Sequence, residues 1–476
     1  MQHKGTQITI LSLCALALLI VRLSTPPRDS HPDPYDRRPI EISKLGNGKK
    51  PPNVVLIVID TLRRDHLGCY GYGRDTSPRI DQFARDAIRC DDMIAASSWT
   101  IPSMMSIFTG LPPSLHQATF GSTFGAGITT LAESLSGCGY QTTGIAANPF
   151  AKSINGFAIG FDSYIDYSGV VAEISKTGAA PPPWAVRTSD AVTRLASQWL
   201  ERRDANAPFF LYAFYFDPHA DYVPPPPYDT MFDRDYAGSV KGNIMSLPNQ
   251  TLADRDKEHV RALYDGEIRS TDEQVGALIA KIDALGLSRD TIVIITSDHG
   301  EELWDHGGTL HGHTLYDELV RVPFIIRWPG HLDGGKSISG QVSNMSVMPT
   351  LLDAIGVQVP TQCQAPSVLE CLQGKPLPAQ RVFSETDYQG LDLTSVRTLT
   401  QKIVINREKG DRRVFDLAAD PGEQHDLSSS HPPWADELYA SYEAWTKTNT
   451  EIRSAMSPAR AIDRDEEMLK QLGYGQ

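Results

Sequence analysis

Two predicted strands end in residues that can hold a cation. Residues 53–59 read NVVLIVI and residues 291–297 read TIVIITS, patterns typical of strands buried on both faces of a parallel sheet. Asp60 follows the first run, and Asp298 and His299 follow the second. The carboxyl ends of such strands meet at one edge of a sheet, so we expect these side chains to converge. A lone Asp in this position is more often a turn or helix cap, and the agreement of two strand ends favours a site for one divalent cation, calcium, manganese, magnesium or zinc.

Thr100 stands where such a site needs a nucleophile. Pro102 suits the first turn of a helix because its φ is fixed and it lacks an N–H, and nothing in residues 103–109 breaks a helix. Thr100 is then expected just before a helix N-terminus, where backbone N–H groups and the helix dipole hold a tetrahedral oxyanion. A hydroxyl attacks only after a metal or base removes its proton. The alternative is that Thr100 is merely the N-cap of the helix.

Six further runs, in order along the chain, carry recognisable motifs: DTLRRDHLGCYGY at 60–72, FDPHADY at 216–222, SDHGEEL at 297–303, LYDELVRVPFII at 315–326, MPTLLD at 348–353 and FDLAADPGE at 415–423. Together they resemble the sulfatase family of the alkaline-phosphatase superfamily, over roughly residues 52–427. The run SSWTIPSMMSIFTGL at 97–111 is similar to the family's nucleophile segment, C-x-P-x-R followed by T-G. Thr100 replaces the Cys that maturation converts to formylglycine, and Met104 replaces the Arg.

The resemblance implies roles for the residues named first. Asp60, Asp298 and His299 would be metal ligands, with Thr100 as nucleophile and fourth ligand. Many sulfatases carry a second Asp beside the first ligand and an Asn beside the third, whereas this chain has Thr61 and His299. The set is more similar to superfamily phosphodiesterases and phosphotransferases, such as lipoteichoic-acid synthases, which use an unmodified threonine. An imidazole ligand favours manganese or zinc over calcium.

Two loop residues are predicted to face the substrate. His219 follows the strand-like residues 208–216 and precedes four prolines, which would hold it over the crevice as a donor to a leaving-group or non-bridging oxygen. The alternative is a loop histidine that caps a turn. Asn148 lies near a lysine position of the family and is a candidate for contact with a substrate oxygen. A turn-forming Asn before Pro149 is the competing interpretation.

A histidine-rich stretch, DHGGTLHGH, precedes Tyr316. The family carries a catalytic lysine four residues before that tyrosine position, where this chain has Gly312. We expect His311 or His313 to supply the missing positive charge, or one of them to bind a second metal, since imidazole is a common ligand. We favour a single metal.

The chain as a whole is predicted to be α/β. Strand patterns alternate with helical ones at 77–87, 190–202 and 267–285, which indicates a mainly parallel central sheet flanked by helices on both faces. We assign residues 52–340 to a sulfatase-like catalytic domain. Residues 341–476 are assigned to a small C-terminal α+β subdomain, with a helix at 347–354, short strands at 402–406 and 413–415 that the family would place in an antiparallel sheet, and a terminal helix from Trp434.

The N-terminus predicts export. Lys4 precedes the apolar residues 8–21, which are too few for a full membrane span and suit a signal peptide. Residues 1–23 are therefore a signal peptide or an N-terminal membrane anchor, and the proline- and charge-rich residues 24–51 a linker. The expected location is periplasmic or extracellular, with membrane anchoring through the N-terminal segment as the alternative to cleavage.

Three functions fit the sequence. The first is metal-dependent hydrolysis of sulfate or phosphate esters through Thr100, on an anionic small molecule or a glycan or lipid ester. The second is an envelope phosphotransferase that works through a phospho-threonine intermediate. The third is a non-catalytic binding protein that retains the fold. A net charge of -14 argues against a nucleic-acid partner.

Overall fold

The computed structural model describes residues 51–176, 187–246 and 252–462, all within one compact unit. The predicted leader at 1–23 and nearly all of the linker at 24–51 lie outside these ranges. Within them, no helix has both the length and the apolar character needed to cross a bilayer.

The strands of the described chain are β1 Asn53–Ile59, β2 Ile88–Ile94, β3 Ser122–Thr123, β4 Gln141–Ala146, β5 Ser163–Ile165, β6 Phe209–Tyr215, β7 Thr291–Thr296, β8 Glu302–Leu303, β9 Thr309–Leu310, β10 Arg321–Val322, β11 Phe324–Arg327, β12 Lys336–Ser343, β13 Val382–Tyr388, β14 Leu391–Arg397, β15 Gln401–Asn406, β16 Arg412–Asp416 and β17 Arg460–Ala461.

The α-helices are α1 Pro78–Arg85, α2 Thr100–Thr109, α3 Pro113–His116, α4 Leu131–Gly137, α5 Tyr167–Ser175, α6 Ser189–Arg202, α7 Tyr228–Met231, α8 Asp254–Ala284, α9 Asp317–Val320, α10 Val347–Ala354, α11 Leu369–Leu372 and α12 Pro433–Ala455. Helix α8 starts well before the predicted residue 267. The first residues of this helix are polar, so the sequence pattern there does not indicate a buried helix. Its apolar face begins with Val260 and Leu263, which are both buried.

A nine-stranded sheet forms the centre of the molecule, in the order β10-β2-β11-β7-β1-β6-β4-β5, with β12 also paired to β2. β1 lies parallel to both β6 and β7, β4 lies parallel to β5 and β6, and β12 lies parallel to β2. The antiparallel pairs are those of β10 and β11. The predicted mainly parallel sheet is therefore confirmed, and β12 carries it slightly past residue 340.

Two apolar cores cover the faces of this sheet. Side chains of β1 alternate between them: Val54, Leu56 and Val58 enter one core, and the residues between them enter the other. Helices α2 and α10 contribute to the first core, and α6 and α8 to the second. Burial on both faces explains why β1 and β7 are unbroken apolar runs, since neither face of a central parallel strand meets water.

The C-terminal part forms a second, four-stranded antiparallel sheet, β13-β14-β15-β16, as predicted. A third, small core lies between this sheet and α12. On the other side, the sheet is joined to the main domain by a buried ionic network. Lys402 Nζ lies 3.0 Å from Asp317 Oδ1 and 2.8 Å from Glu423 Oε1, and Arg397 Nη1 lies 2.6 Å from Asp317 Oδ1.

Candidate active site

The ends of two neighbouring parallel strands bring the acidic residues together. β1 pairs with β7 in register up to Val58 and Thr296, so the chain leaves both strands at the same edge of the sheet. The two exits are tied by hydrogen bonds: Leu62 N–H donates to Ser297 Oγ at 3.0 Å, and Thr61 N–H donates to Asp298 Oδ1 at 3.4 Å. The predicted convergence of Asp60 and Asp298 is observed.

Thr61 is held in an unusual backbone conformation beside Asp60. Its φ is 52°, in the left-handed region that a β-branched residue rarely adopts. The surroundings fix it, because the Tyr264 hydroxyl donates to its carbonyl oxygen at 2.7 Å. Such a conformation costs of order 1–3 kcal/mol and is kept where a site needs it.

Thr100 is the first residue of α2, and it is not the N-cap. Trp99 occupies the N-cap position, and no side chain caps the helix. The N-cap alternative is therefore wrong, and the buried Thr100 hydroxyl faces the strand ends instead. The helix start offers fewer backbone donors than the sequence suggested, because Pro102 has no N–H and the Ser103 N–H donates to the Trp99 carbonyl at 3.3 Å.

A pair of buried hydrogen bonds joins the helix that begins with Thr100 to the segment that carries Asp298 and His299. Ser103 Oγ donates to the Asp298 carbonyl at 2.5 Å and accepts from Asn344 Nδ2 at 2.9 Å. Asn344 Oδ1 in turn accepts the Ala96 N–H at 2.9 Å. Ser103 and Asn344 are fully buried. The sequence analysis missed both, because neither residue type signals a contact across so much intervening chain.

Four polar groups cluster where these elements meet. His299 Nε2 lies 3.3 Å from Thr100 Oγ. The same nitrogen lies 3.4 Å from Asp298 Oδ2 and 3.7 Å from Asp60 Oδ1. Both of those carboxylate oxygens are buried, and neither has a hydrogen-bond partner. Burial, reinforced by Asp298, raises the pKa of Asp60 well above its ordinary value, and burial also raises the pKa of Asp298.

This arrangement fits a divalent cation. The His299 Nδ1–H donates to the Gly300 carbonyl at 2.9 Å, so Nε2 is the nitrogen left to face an ion. One atom each from Asp60, Asp298 and His299 lies within 4.8 Å of the others. Two orphaned carboxylate oxygens without a nearby cationic side chain are costly in a buried site, and a cation of this charge would satisfy both.

Asn148 contacts the cluster itself. Its Nδ2 donates to Asp60 Oδ2 at 2.5 Å and lies 3.4 Å from Thr100 Oγ, while its Oδ1 accepts the Phe150 N–H at 2.6 Å. The two interpretations offered by the sequence are thus combined: the amide oxygen makes the turn, and the amide nitrogen reaches the site.

His219 and His311 line the same site. Their rings meet edge to face with centroids 4.9 Å apart, and the His311 ring lies 4.4 Å from that of His299. His219 Nδ1–H donates to the Ala220 carbonyl at 2.8 Å. Burial, followed by His311, lowers the pKa of His219 to about 3, so the ring is neutral at pH 7 and lacks the second proton that a donor to the leaving group needs. A bound anion would raise that pKa.

Glu301 orients His311. Its Oε1 lies 2.8 Å from His311 Nδ1, and both side chains are buried. Because the carboxylate accepts the Nδ1–H, Nε2 is left as the second interacting atom of the ring. Glu301 stands inside the SDHGEEL motif, but its role was not predicted, since it depends on contact with a residue in the following loop.

His313 lies elsewhere on that loop. Its Nε2 pairs with Glu302 Oε2 at 2.8 Å, and no described contact joins it to Asp60, Thr100 or Asp298. Gly312, between the two histidines, cannot carry a side chain in this fold, because a Cβ there would lie 2.8 Å from the Tyr388 ring. The lysine position of the family is therefore closed by Tyr388.

A second group with metal-ligand spacing is already satisfied by protein contacts. It consists of Glu302, His306 and Glu318. His306 Nδ1 lies 2.6 Å from Glu318 Oε1, and Glu302 accepts N–H bonds from His306 and Gly308. Within the described ranges, neither candidate group includes His311 or His313.

Comparison with known families agrees with this geometry. A family model described as Sulfatase matches residues 52–357, and one described as N-sulphoglucosamine sulphohydrolase, C-terminal, matches residues 306–440. The first match covers well over half of the chain. The chain therefore belongs to the sulfatase family, whose members hydrolyse esters of sulfuric or phosphoric acid.

Individual relatives are distant but match over most of their length. The arylsulfatase of Clostridium perfringens is 25% identical, with 80% of this chain and 90% of that protein covered. The multifunctional alkaline phosphatase superfamily protein PehA of Trinickia caryophylli is 27% identical, covering 68% of this chain and 78% of that protein. A crystal structure of the phosphonate monoester hydrolase of Agrobacterium radiobacter superposes with a TM-score of 0.70 at 22% identity, covering 84% of this chain and 96% of that one, which shows a shared fold.

Proposed function

We propose that this chain is a metal-dependent hydrolase that cleaves phosphate esters and diesters faster than sulfate esters, with Thr100 as its nucleophile. The observation that carries the proposal is the position of the Thr100 hydroxyl, 3.3 Å from His299 Nε2 and beside two buried carboxylates, each with one oxygen that lacks a hydrogen-bond partner. Asp60, Asp298, His299 and the Thr100 hydroxyl would hold one divalent cation, manganese, zinc, magnesium or calcium. Such an ion lowers the pKa of a hydroxyl that it contacts and offsets negative charge on the reacting group.

The side chains around Thr100 suit phosphoryl transfer. The Thr100 hydroxyl would release its proton to solvent and its oxygen would attack phosphorus to form a phosphoester, while the bond to the leaving group breaks and its electron pair leaves with the departing oxygen. Asn148 Nδ2 can donate to a non-bridging oxygen, because it already reaches Thr100 Oγ. His219 gains its proton as the anionic substrate arrives and donates it to the leaving group. His311, held by Glu301, presents Nε2 to the water that attacks the phosphoester.

The nucleophile explains the preference for phosphate. A threonine ester of phosphate can be opened by water at phosphorus. Threonine lacks the geminal hydroxyl by which formylglycine expels sulfate, so a sulfated Thr100 would turn over slowly. The substrates in view are anionic small molecules and glycan or lipid esters. The relative PehA, called multifunctional, supports a site that accepts more than one kind of ester.

A transferase is the second candidate, because the Thr100 side chain is 2% exposed. A phosphoester at so shielded an atom is reached by water only through the substrate opening, and a sugar or lipid hydroxyl bound there could take its place. A binding protein without activity is the third possibility. The presence of both carboxylates, the imidazole and the hydroxyl in one cluster speaks for catalysis.

The test uses the full chain with each of the four cations. Aryl phosphate, bis-aryl phosphate, aryl phosphonate and aryl sulfate esters are assayed with the wild type, Thr100→Ser and Thr100→Ala. We expect phosphate esters to react fastest, Thr100→Ser to keep part of the rate, and Thr100→Ala to lose at least about 10³-fold in kcat. Ser106→Ala, which removes another buried hydroxyl from α2, should keep full activity.

Two outcomes would count against the proposal. Efficient cleavage of sulfate esters with no activity on phosphate esters would show that the substitution of Thr100 for Cys does not set the substrate. Unchanged turnover in Thr100→Ala would show that Thr100 is not the nucleophile. Transfer to glycerol in place of water, measured by product analysis, would favour the transferase.

We further propose that the enzyme acts outside the cytoplasm, on the basis of Lys4 and the apolar residues 8–21. Residues 1–52 fused to a reporter that is active only after export should give signal. A silent fusion at normal expression level would contradict export.

A further inference from the structure

A small cavity lies between the histidine loop and the C-terminal sheet. Its volume is about 180 Å³, and its walls include His313 from the loop, Leu391, Leu393, Val404 and Arg413 from the sheet, and Lys409 from the turn between β15 and β16. We call it the distal cavity. Pockets that enclose a whole drug-sized ligand start near ~300 Å³, so this one has room for one part of a larger molecule.

The distal cavity lies close to the nucleophile. Tyr388 is the structural link, since its ring contacts that of Trp99, the residue before Thr100, with centroids 5.8 Å apart. Tyr388 also closes over Gly312, next to His313. Across the hairpin, Tyr388 pairs directly with Leu391, which borders the cavity. Tyr388 therefore contacts the residue before Thr100 through its ring and pairs along the sheet with a residue that lines the cavity.

The walls combine an apolar floor with two basic side chains and one acidic one. Leu391 is 37% exposed, which is unusual for a large apolar side chain in this protein. Arg413 donates to the Tyr316 hydroxyl at 2.6 Å, and within the described ranges neither Arg413 nor Lys409 forms an ion pair with a carboxylate. Asp411 also lines the cavity and offsets one charge in part. In a chain with a net charge of -14, such a place favours an anion.

We infer that the distal cavity binds a second anionic group of the substrate, carried on a sugar-sized ring. The inference rests on the proposed function, since the first anionic group is the ester at Thr100. The aliphatic side chains would contact the carbon face of the ring, and Lys409 and Arg413 would bind its second phosphate or sulfate group. An acyl chain fits less well, because the apolar floor is short and ends at charged side chains.

The test compares two sugars that differ by one anionic group, glucose 6-phosphate and glucose 1,6-bisphosphate. For each protein, the quantity measured is the ratio of kcat/KM for the bisphosphate to that for the monophosphate. We expect this ratio to fall at least about 10-fold in Lys409→Gln/Arg413→Gln, through KM, because these contacts are the same in the ground state and the transition state.

Arg412→Gln with Arg85→Gln is the matched control. It removes the same number of charges, and Arg412 lies on the opposite face of β16, over the Tyr439 ring. The ratio should not change in this control. An unchanged ratio in Lys409→Gln/Arg413→Gln, or an equal change in the control, would overturn the inference.

A binding measurement separates this inference from the proposed function. Calorimetry on Thr100→Ala with both sugars needs no turnover. We expect the bisphosphate to bind at least about 10-fold more tightly than the monophosphate, with the difference lost in the triple variant that also carries Lys409→Gln and Arg413→Gln. Equal affinities would overturn the distal cavity as an anion site even if the enzyme cleaves phosphate esters. If neither sugar is turned over but the bisphosphate still binds more tightly, the result would count against the proposed reaction and not against the distal cavity as an anion site.

Discussion

The molecule contains two buried pairs of carboxylates, one that includes Asp298, just before the histidine-rich residues 305–313, and one that includes Asp317, just after them. The negative charge of the two pairs is balanced in different ways. In the first pair, Asp60 and Asp298 face each other, neither pairs with a lysine or arginine in the part of the chain that the structure describes, and an oxygen of each lacks a hydrogen-bond partner. In the second pair, Asp317 and Glu423 are also largely buried, with the Asp317 side chain 13% exposed, and Lys402 lies between them. The second cluster supplies its own counter-charge and is structural, whereas the first would be neutralised by the divalent cation proposed above.

The pKa shifts express the same contrast. Burial raises the pKa of Asp60 well above its ordinary value, and its neighbour Asp298 adds to the effect. Burial alone would also raise the pKa of Asp317, but Arg397 and Lys402 outweigh it and hold that pKa well below its usual range. Burial by itself therefore does not distinguish a functional carboxylate from a structural one; the presence or absence of an internal cation does.

The largest expected effect comes from removing the internal cation. Lys402→Met should lower the free energy of unfolding by about 3–5 kcal/mol, because Glu423 is left buried without its cationic partner and Asp317 keeps only Arg397. Urea unfolding measures the change. Lys281→Met, which breaks an exposed pair with Glu201, should cost less than about 1 kcal/mol. Similar losses in the two variants would show that the network contributes little.

A smaller effect is expected for Asp60, at the end of β1, where a substitution should raise the stability of the metal-free protein instead of lowering it. Asp60→Asn should weaken binding of Mn²⁺ by at least about 100-fold, since even residues that merely support a ligand cost 10–100-fold. The metal-free variant should be more stable than the metal-free wild type by about 1 kcal/mol, because one of two adjacent buried charges is gone. Calorimetric titration and urea unfolding in chelator measure the two quantities. Unaltered Mn²⁺ affinity would contradict the assignment of Asp60.

The smallest effect is a pH dependence in the structural cluster. The pKa of Asp317 is lowered in the folded state, so its ionised form contributes stability above the unfolded pKa near ~3.9, and that stability is lost as the pH falls through the folded pKa. We expect Asp317→Asn to cost about 2 kcal/mol at pH 7 and progressively less below pH ~4. Unfolding at a series of pH values measures this, with the fully exposed Asp254→Asn as control. A constant difference down to pH ~2 would contradict the lowered pKa.

Much of the fold and the first ligands could be predicted from the sequence. β1 matches residues 53–59, α10 matches 347–354, and Asp60, Asp298 and His299 converge as expected. These predictions are correct because a buried parallel strand has a continuous apolar pattern in the local sequence, and because the carboxyl ends of parallel strands meet at one edge of the sheet.

The remainder depends on contacts that no local pattern encodes. His311 and His313 could not be told apart, since only the loop's path turns one toward His299 and the other toward Glu302. Lys402 gave no signal, because a lysine in a short strand is ordinarily exposed and becomes a buried partner only through Asp317.

The hydrogen bond between Ser103 and Asn344 can form only late in the synthesis of the chain. At 5–20 residues per second, roughly 12–50 s separate the appearance of these two residues at the ribosome, since 241 positions lie between them. Until then, the helix that carries Thr100 lacks the Asn344 amide that fastens it. The nascent chain can complete its central strands before this hydrogen bond exists, and the bond forms only after nearly three quarters of the chain has been made.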